Sequence, residues 1–265
     1  MVVYISGGSS GIGLATARLF VTQGADVLVF ARDAKKLAEA EAALKALAGA
    51  SGARVRALSL DVADEQACVE KLGEACRTFG APTVVVNSAG IGGAAAFENE
   101  TFAKFDQRMK VNVYGVRNVV AAVLPHMKAG GGHIVNVSSM AGLIGVYGFT
   151  SYAASKFAVV GFSEALRAEL KRYRINVCVY CPPDVDTPML HAENTDKPPE
   201  TKAISEGGGV MSADAAAAAL IRGMESGKFL VIPNAQNKAV NLINRLFPRL
   251  RERILDRIAE KARVK

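Results

Sequence analysis

Two spacings of apolar residues run through the chain up to about Tyr180. Short apolar runs predict buried strands at Val2–Ile5, Asp26–Phe30, Arg54–Leu58, Thr83–Val86, His133–Val137 and Ile175–Tyr180. Between them apolar residues recur at helical spacing. Leu14, Ala17, Leu19, Phe20 and Val21 follow a glycine-rich turn, and an alanine-rich segment runs to about Ala48. Further helices are predicted over Asp64–Phe79 and Thr101–Met127, and another holds Tyr152 and Lys156 and runs to about Tyr173. Strands that are apolar throughout and alternate with helices form a parallel sheet covered on both faces. The predicted architecture is therefore doubly wound α/β, with helices on both faces of the sheet.

From Pro182 to Ser212 the pattern breaks. Five prolines (182, 183, 188, 198 and 199) and the run Gly207–Gly209 interrupt it. A structureless loop of that length points to a functional segment such as a lid. Asp214–Ser226 then reads as a helix and Phe229–Ile232 as a seventh strand. With no internal repeat or domain boundary, residues 1–235 are expected to form one Rossmann-type domain with its lid at about 182–212. Residues 236–265 are expected to be a helical tail of the same domain. There Leu242, Ile243, Leu246, Phe247, Leu250, Ile254, Leu255 and Ile258 recur at steps of three and four, arginines fill much of the remaining surface, and Pro248 is expected to kink or restart the helix. Such a basic amphipathic helix can lie in an anionic membrane interface. It can equally dock on the domain or on another subunit.

Composition narrows the function classes. A chain of 265 residues can bury one substantial core. No run approaches the ~18–20 apolar residues of a membrane span, and a strand beginning at Val2 leaves no room for a signal peptide, so a cytoplasmic location is expected. The net charge is +7, but residues 236–265 hold nine Lys/Arg against three acids and so carry six of those seven charges. A nucleic-acid groove across the main body is not expected. Cys178 and Cys181 have C-x-x-C spacing without a second pair and read as structural. The three histidines, His126, His133 and His191, lack zinc-ligand spacing, so no metal centre is predicted.

Candidate chemistry lies in two places. Ser6-Gly7-Gly8-Ser9-Ser10-Gly11-Ile12-Gly13 links a strand to a helix, where glycines let the backbone approach a dinucleotide and the helix N-terminus offers free N–H groups to a pyrophosphate. The second predicted strand ends in Ala31-Arg32 rather than an acid, which favours a 2′-phosphate and hence NADPH. Lys36 either adds a second cation there or is a solvated helix lysine, and Ser9 and Ser10 could donate to the phosphate. Tyr152-x-x-x-Lys156 would set an ammonium beside a phenol, since residues four apart share a helix face at roughly 5–6 Å. A fixed positive charge favours the phenolate, giving a general acid/base usable near neutrality.

Together with Asp61-Val62, Asn87-Ser88-Ala89-Gly90, Asn112 in Val-Asn-Val-Tyr-Gly, and Ser139 thirteen residues before Tyr152, these features make the chain resemble the short-chain dehydrogenase/reductases over essentially its whole length. The resemblance implies that Tyr152 donates the proton in reduction and that Lys156 lowers its pKa and binds the nicotinamide ribose. Ser139 would hold the substrate carbonyl, and Asn112 would support Lys156 through a water relay. It also implies cofactor contacts at Gly7, Ser9, Ser10, Gly11, Ile12, Arg32, Lys36, Asp61, Val62, Asn87, Ala89, Gly90, Tyr152, Lys156, Pro182, Val185 and Thr187, and a homodimer or homotetramer. Three positions depart from the family pattern. Ser6 stands for the usual Thr, Ser88 for the second Asn, and Pro182-Pro183 for the usual Pro-Gly, which stiffens the loop after the sixth strand.

The stretch Pro182–Pro188, with Glu193-Asn194, Lys197-Pro198, Glu200-Thr201 and Ile204-Ser205-Glu206, is similar to the 3-ketodihydrosphingosine reductases of sphingolipid synthesis, as is Gly148–Tyr152. That similarity spans residues 1 to about 230. It implies transfer of the pro-S hydride of NADPH to the C3 ketone of a lipid-like substrate that carries an ammonium beside the ketone. Leu143, Ile144, Val146, Phe149, Met189 and Leu190 could line an apolar groove or serve as ordinary core and lid residues. Asp184, Asp186 or Glu193 could face the ammonium or be solvated. The alternatives are another ketone, such as a β-ketoacyl or steroid ketone, and a non-catalytic NADP(H) sensor. The intact set Asn112, Ser139, Tyr152 and Lys156 argues against the sensor.

Overall fold

The computed structural model describes residues 1–49 and 51–263, so the last two residues of the predicted tail lie outside the described residues. Seven parallel strands form the central sheet: β1 (Val2–Ser6), β2 (Asp26–Ala31), β3 (Val55–Ser59), β4 (Val84–Asn87), β5 (Gly132–Val137), β6 (Ile175–Tyr180) and a last short strand at Leu230–Val231. Their spatial order is β3-β2-β1-β4-β5-β6 followed by that last strand. The order therefore reverses between β1 and β4, where Ser6 pairs with Asn87, and this opens a crevice at the carboxyl ends of the strands.

Alternation of side chains along each strand supplies two cores. Val3, Ile5, Val27, Val29 and Val86 pack with Phe20 of α1 (Gly11–Thr22), Leu44 of α2 (Ala34–Ala48) and Leu220. Tyr4, Leu28, Phe30, Val85 and Ile134 pack on the other face with Leu72 of α3 (Glu65–Thr78), and with Val119 and Val123. Cys178 belongs to the first core and Cys181 to a smaller cluster with Val179 and Ile232. All four cysteines are free and buried, and burial pushes the Cys181 thiol up to about 12.

The predicted helix over 101–127 is divided. α4 (Phe102–Met109) and α5 (Gly115–Met127) flank a π-helical turn at Lys110–Tyr114 that carries Asn112. One helical period does not reveal such a turn, and π-turns occur mainly at functional sites. α6 (Thr150–Leu170) carries Tyr152 and Lys156.

The expectation of a structureless lid is corrected. The segment folds as β7 (Asp184–Asp186), α7 (Pro188–Asp196), α8 (Pro199–Glu206) and β8 (Val210–Ser212), with β7 and β8 paired in parallel. Two of the prolines that interrupt the pattern, Pro188 and Pro199, begin helices, where a missing N–H costs nothing. Pro188 follows the cap residue Thr187, whose hydroxyl accepts from the Leu190 N–H at 3.4 Å. α9 (Ala213–Glu225) returns to the sheet, and the last strand, now β9, completes it.

The tail forms α10 (Ala235–Leu246) and α11 (Pro248–Arg263), with Pro248 restarting the helix as expected. α11 packs on the lid helix α8, where Arg263 Nε lies 2.8 Å from Glu200 Oε1. α10 is inverted relative to an ordinary surface helix. Its asparagines face the protein: Asn237 donates to the Gly208 carbonyl at 3.0 Å and Asn244 to the Leu143 carbonyl at 2.9 Å. Leu242, Leu246 and Phe247 remain 57–60 % exposed. Among the described residues no helix is long and apolar enough to cross a membrane.

Candidate active site

A cavity of about 870 Å³ lies along the crevice, from the glycine-rich turn to the lid. At one end the chain turns from β1 into α1 through Gly7, whose φ of +65° is a left-handed value that favours glycine. A Cβ there would lie 2.8 Å from the Ala89 nitrogen, so the turn and the loop after β4 approach as closely as backbones can. Ser6 locks that approach: its hydroxyl oxygen accepts from the N–H groups of Ser88 and Ala89, each at 3.0 Å. Ser10, the cap residue of α1, makes no side-chain cap bond. The first-turn N–H groups of α1 therefore remain available to an anion. This bare, cramped and positively poled turn fits the pyrophosphate of a dinucleotide.

Of the residues named above as cofactor contacts, Gly7, Ser9, Ser10, Gly11, Ile12, Arg32, Lys36, Val62, Ala89, Gly90, Tyr152, Lys156, Pro182, Val185 and Thr187 line the cavity. Asp61 and Asn87 do not. Asp61 stands behind the wall, 3.9 Å from Arg32 Nη1 and accepting from the Ala63 N–H at 2.9 Å. Asn87 is buried between strands, donating to Asn136, which donates in turn to Ser163, both at 2.8 Å. Its Nδ2 is thereby satisfied across the sheet, while its buried Oδ1 has no hydrogen-bond partner among the described residues.

The remaining predicted residues converge midway along the cavity. Ser139 and Tyr152 line it from the β5 and α6 sides, and the Lys156 ammonium lies 5.6 Å from the Tyr152 ring centroid while donating to the Val137 carbonyl at 3.1 Å. Asn112 is buried outside the wall. Its Oδ1 accepts from the Ile91 N–H at 2.8 Å, and its Nδ2 donates to the Ile91 carbonyl and to Ser155, both at 3.0 Å. It makes no direct bond to Lys156; the two side chains flank Gly90. The π-turn thus serves to hold the loop that carries Gly90 and Ile91.

Electrostatics correct one expectation. Tyr152 is not drawn down by Lys156: burial, and then the nearby Glu193 carboxylate, raise its phenol well above the ordinary value, against a lowering contribution from Ser139. Lys156 itself is drawn down to about 8 by burial, so it carries only part of a charge in the slightly alkaline range. Burial thus holds the phenol in its protonated form.

At the lid side the structure separates the apolar and acidic candidates named above and adds Arg108, Glu100 and Ser151. Phe149, Met189 and Leu190 line the cavity, whereas Leu143 and Val146 pack into neighbouring clusters and Ile144 is buried. Arg108 is buried with Glu100 and Ser151 in one ionic cluster, and its Nε donates to the Gly92 carbonyl at 3.1 Å. Adjacent Gly93 donates its N–H to Glu193 at 3.2 Å. Lys197, with a side chain only 2 % exposed, pairs with Glu193 at 2.9 Å and with Asp184 at 3.3 Å. These contacts clasp the lid to the loop after β4. Glu193 and Lys197 are one helical turn apart, but Gly93 and Arg108 lie 100 and 85 residues from Glu193, so the sequence could point to the acids without showing what holds them.

A parallel sheet with a glycine-rich first turn and a Ser-Tyr-Lys set over its carboxyl edge defines a class, and comparison agrees with it. The chain belongs to the short chain dehydrogenase family, whose profile matches residues 1–198; it is an oxidoreductase. Among curated relatives it is 39 % identical over 229 residues to "3-dehydrosphinganine reductase" of Danio rerio and 37 % identical over 229 residues to "3-ketodihydrosphingosine reductase" of Mus musculus. Each alignment covers 86 % of this chain and 69 % of the relative. Among solved structures, a short-chain dehydrogenase from Sphingobium yanoikuyae in complex with NADPH superposes with a TM-score of 0.77 at 26 % identity, covering 92 % of this chain and 93 % of that one.

Proposed function

We propose that this chain reduces the C3 ketone of 3-ketodihydrosphingosine to the alcohol, using NADPH. The observation that carries the reading is a single cavity that joins the glycine turn, Arg32 and Lys36 to Ser139, Tyr152 and Lys156, in a chain whose relatives bear the names above. A bound nicotinamide supplies the hydride that attacks the carbonyl carbon. Tyr152 gives its phenolic proton to the developing alkoxide, Ser139 donates a hydrogen bond to the same oxygen, and Lys156 holds the ribose. Asn112 positions the Gly90–Ile91 loop and, through it, the neighbourhood of Lys156. Arg32 and Lys36 pair with the 2′-phosphate: Asp33 shares that wall, but its carboxylate caps α2 by accepting from the Lys36 N–H at 3.1 Å, and the residue that directly follows β2 is a cation rather than an acid.

Residues 1–235 are taken as one catalytic domain, with the lid at 182–212 and α10–α11 as its appended tail. The outward stripe of Leu242, Leu246 and Phe247, flanked by exposed Arg245 and Arg249, supports peripheral contact with an anionic lipid surface, in keeping with a lipid substrate. Vesicle co-sedimentation with and without residues 236–265 tests that contact, and equal binding would end it. Assembly as a homodimer or homotetramer follows from the family resemblance and is read by light scattering. The central experiment is NADPH oxidation with 3-ketodihydrosphingosine, compared with a β-ketoacyl thioester and a steroid ketone, with the product identified. Faster turnover of either comparison ketone would overturn the substrate assignment.

A further inference from the structure

We propose that Glu193, with Asp184 beside it, is the specificity-determining residue that selects a ketone bearing a positive charge next to its carbonyl. The proposal rests on the ketoreductase reading above. Both carboxylates lie on the cavity wall that Tyr152 shares, and Lys197, the cation that pairs with both, does not. One ammonium against two carboxylates leaves the lid end of the cavity with one surplus negative charge. Glu193 is not a solvated loop acid, for its side chain is only 8 % exposed, whereas Asp186 is 62 % exposed and pairs with His191 outside the cavity.

The position of Glu193 is held from three directions. Gly93 donates to one of its oxygens, Lys197 pairs with the other, and Arg108 anchors the loop carrying Gly93 through the Gly92 carbonyl. Each carboxylate oxygen can accept more than one hydrogen bond, so these contacts leave acceptor capacity for a ligand. The field of Glu193 and Asp184 is felt at the reacting centre, since both raise the Tyr152 phenol. A field that disfavours a negative phenolate there favours a cation placed beside the ketone. Met189, Leu190 and Phe149 line the same end, so the ligand class is an apolar-chain ketone with an ammonium on the carbon next to the carbonyl.

The test uses the full chain with NADPH and two ketones of equal chain length. One carries the amine, and the other a hydroxyl in its place. Wild-type protein is expected to prefer the amine, and Glu193→Gln to reduce that preference in kcat/KM at least ten-fold; Asp184→Asn should act in the same direction by a smaller factor. A Glu193→Gln variant that loses activity on both ketones equally, with an unchanged ratio, would mean that the residue only clasps the lid and would overturn the proposal alone. Wild-type protein that shows no preference for the amine overturns it as well. Wild-type protein that reduces neither ketone would bring down the ketoreductase reading and the proposal with it. Melting curves and NADPH titrations of both variants identify one that has failed to fold, in which case Lys197→Met replaces it: removing the cation deepens the surplus negative charge and should raise the preference, while an unchanged or lower ratio would overturn the proposal.

Discussion

At the β1–β2 end of the cavity the wall is glycine, serine hydroxyls and two cations, Arg32 and Lys36, against one carboxylate, Asp33, that caps α2; at the lid end it is Phe149, Met189, Leu190 and two carboxylates. The first end is built from strand termini whose register is set by a sheet buried on both faces, so its geometry follows from the core. The second rests on an ionic clasp of Glu193, Lys197 and Asp184 and on helices begun by prolines. On the reading proposed above, the contrast separates the end that would bind an anionic dinucleotide from the end that would choose the ketone, with Ser139, Tyr152 and Lys156 between the two.

The largest effect should come from the middle. Tyr152→Phe removes the proton donor and should lower kcat by about 10²–10⁴-fold while NADPH affinity is nearly unchanged. Near-normal turnover with intact cofactor binding would break the division into binding ends and a catalytic centre. Lys156 offers a stability test in the cofactor-free protein. Its folded pKa of about 8 lies below the ordinary 10.5, so between these values the unfolded chain binds more protons and stability rises with pH; below about 8 the buried ammonium is a full cost. Lys156→Met should therefore stabilise the protein near pH 6.5, by something on the order of 2–3 kcal/mol, with the gain fading toward pH 10.5. Urea melts at the two pH values measure it, and a gain that grows with pH would contradict the burial argument.

Arg32→Ala probes the cationic end. Loss of a charge-assisted bond should raise the KM for NADPH by about 10–100-fold and leave that for NADH little changed. Equal losses for both cofactors would remove Arg32 from the 2′-phosphate site. The smallest effect is expected at the periphery of the lid, where Arg263→Ala removes a half-exposed partner from the buried Glu200 carboxylate and should lower the melting temperature only modestly. A large shift would mean that the tail holds the lid far more tightly than its exposure indicates.

Much of this was legible in the linear chain. The first six strands were readable because most of their residues are apolar, the inner ones buried on both faces; β3, at the sheet edge and only partly buried, was readable from Val55, Ala57 and Leu58. Tyr152 and Lys156 were readable because four-residue spacing fixes a shared helix face, and the glycine turn because few other residues permit a backbone approach like that of Gly7 to Ala89. The lid was misread since proline interrupts a helical pattern equally well by ending a helix and by starting one; Thr187 before Pro188 was the available clue. The Arg108–Glu100–Ser151 cluster was not readable, because its members lie 8 and 43 residues from Arg108 and nothing local pairs them.

By itself, then, the sequence determined the doubly wound sheet, the glycine-rich turn, the cation at the end of β2 and the shared helix face of Tyr152 and Lys156, which follow from local periodicity and from conformations that few residue types permit; Ser139 joined that pair only through the family resemblance. Only the tertiary structure decided the direction of the shift at Tyr152, since that depends on burial and on a carboxylate forty-one residues away rather than on the lysine one turn along. It also decided which face of α10 turns outward. An amphipathic pattern specifies two faces, but the hydrogen bonds of Asn237 and Asn244 to distant carbonyls choose between them.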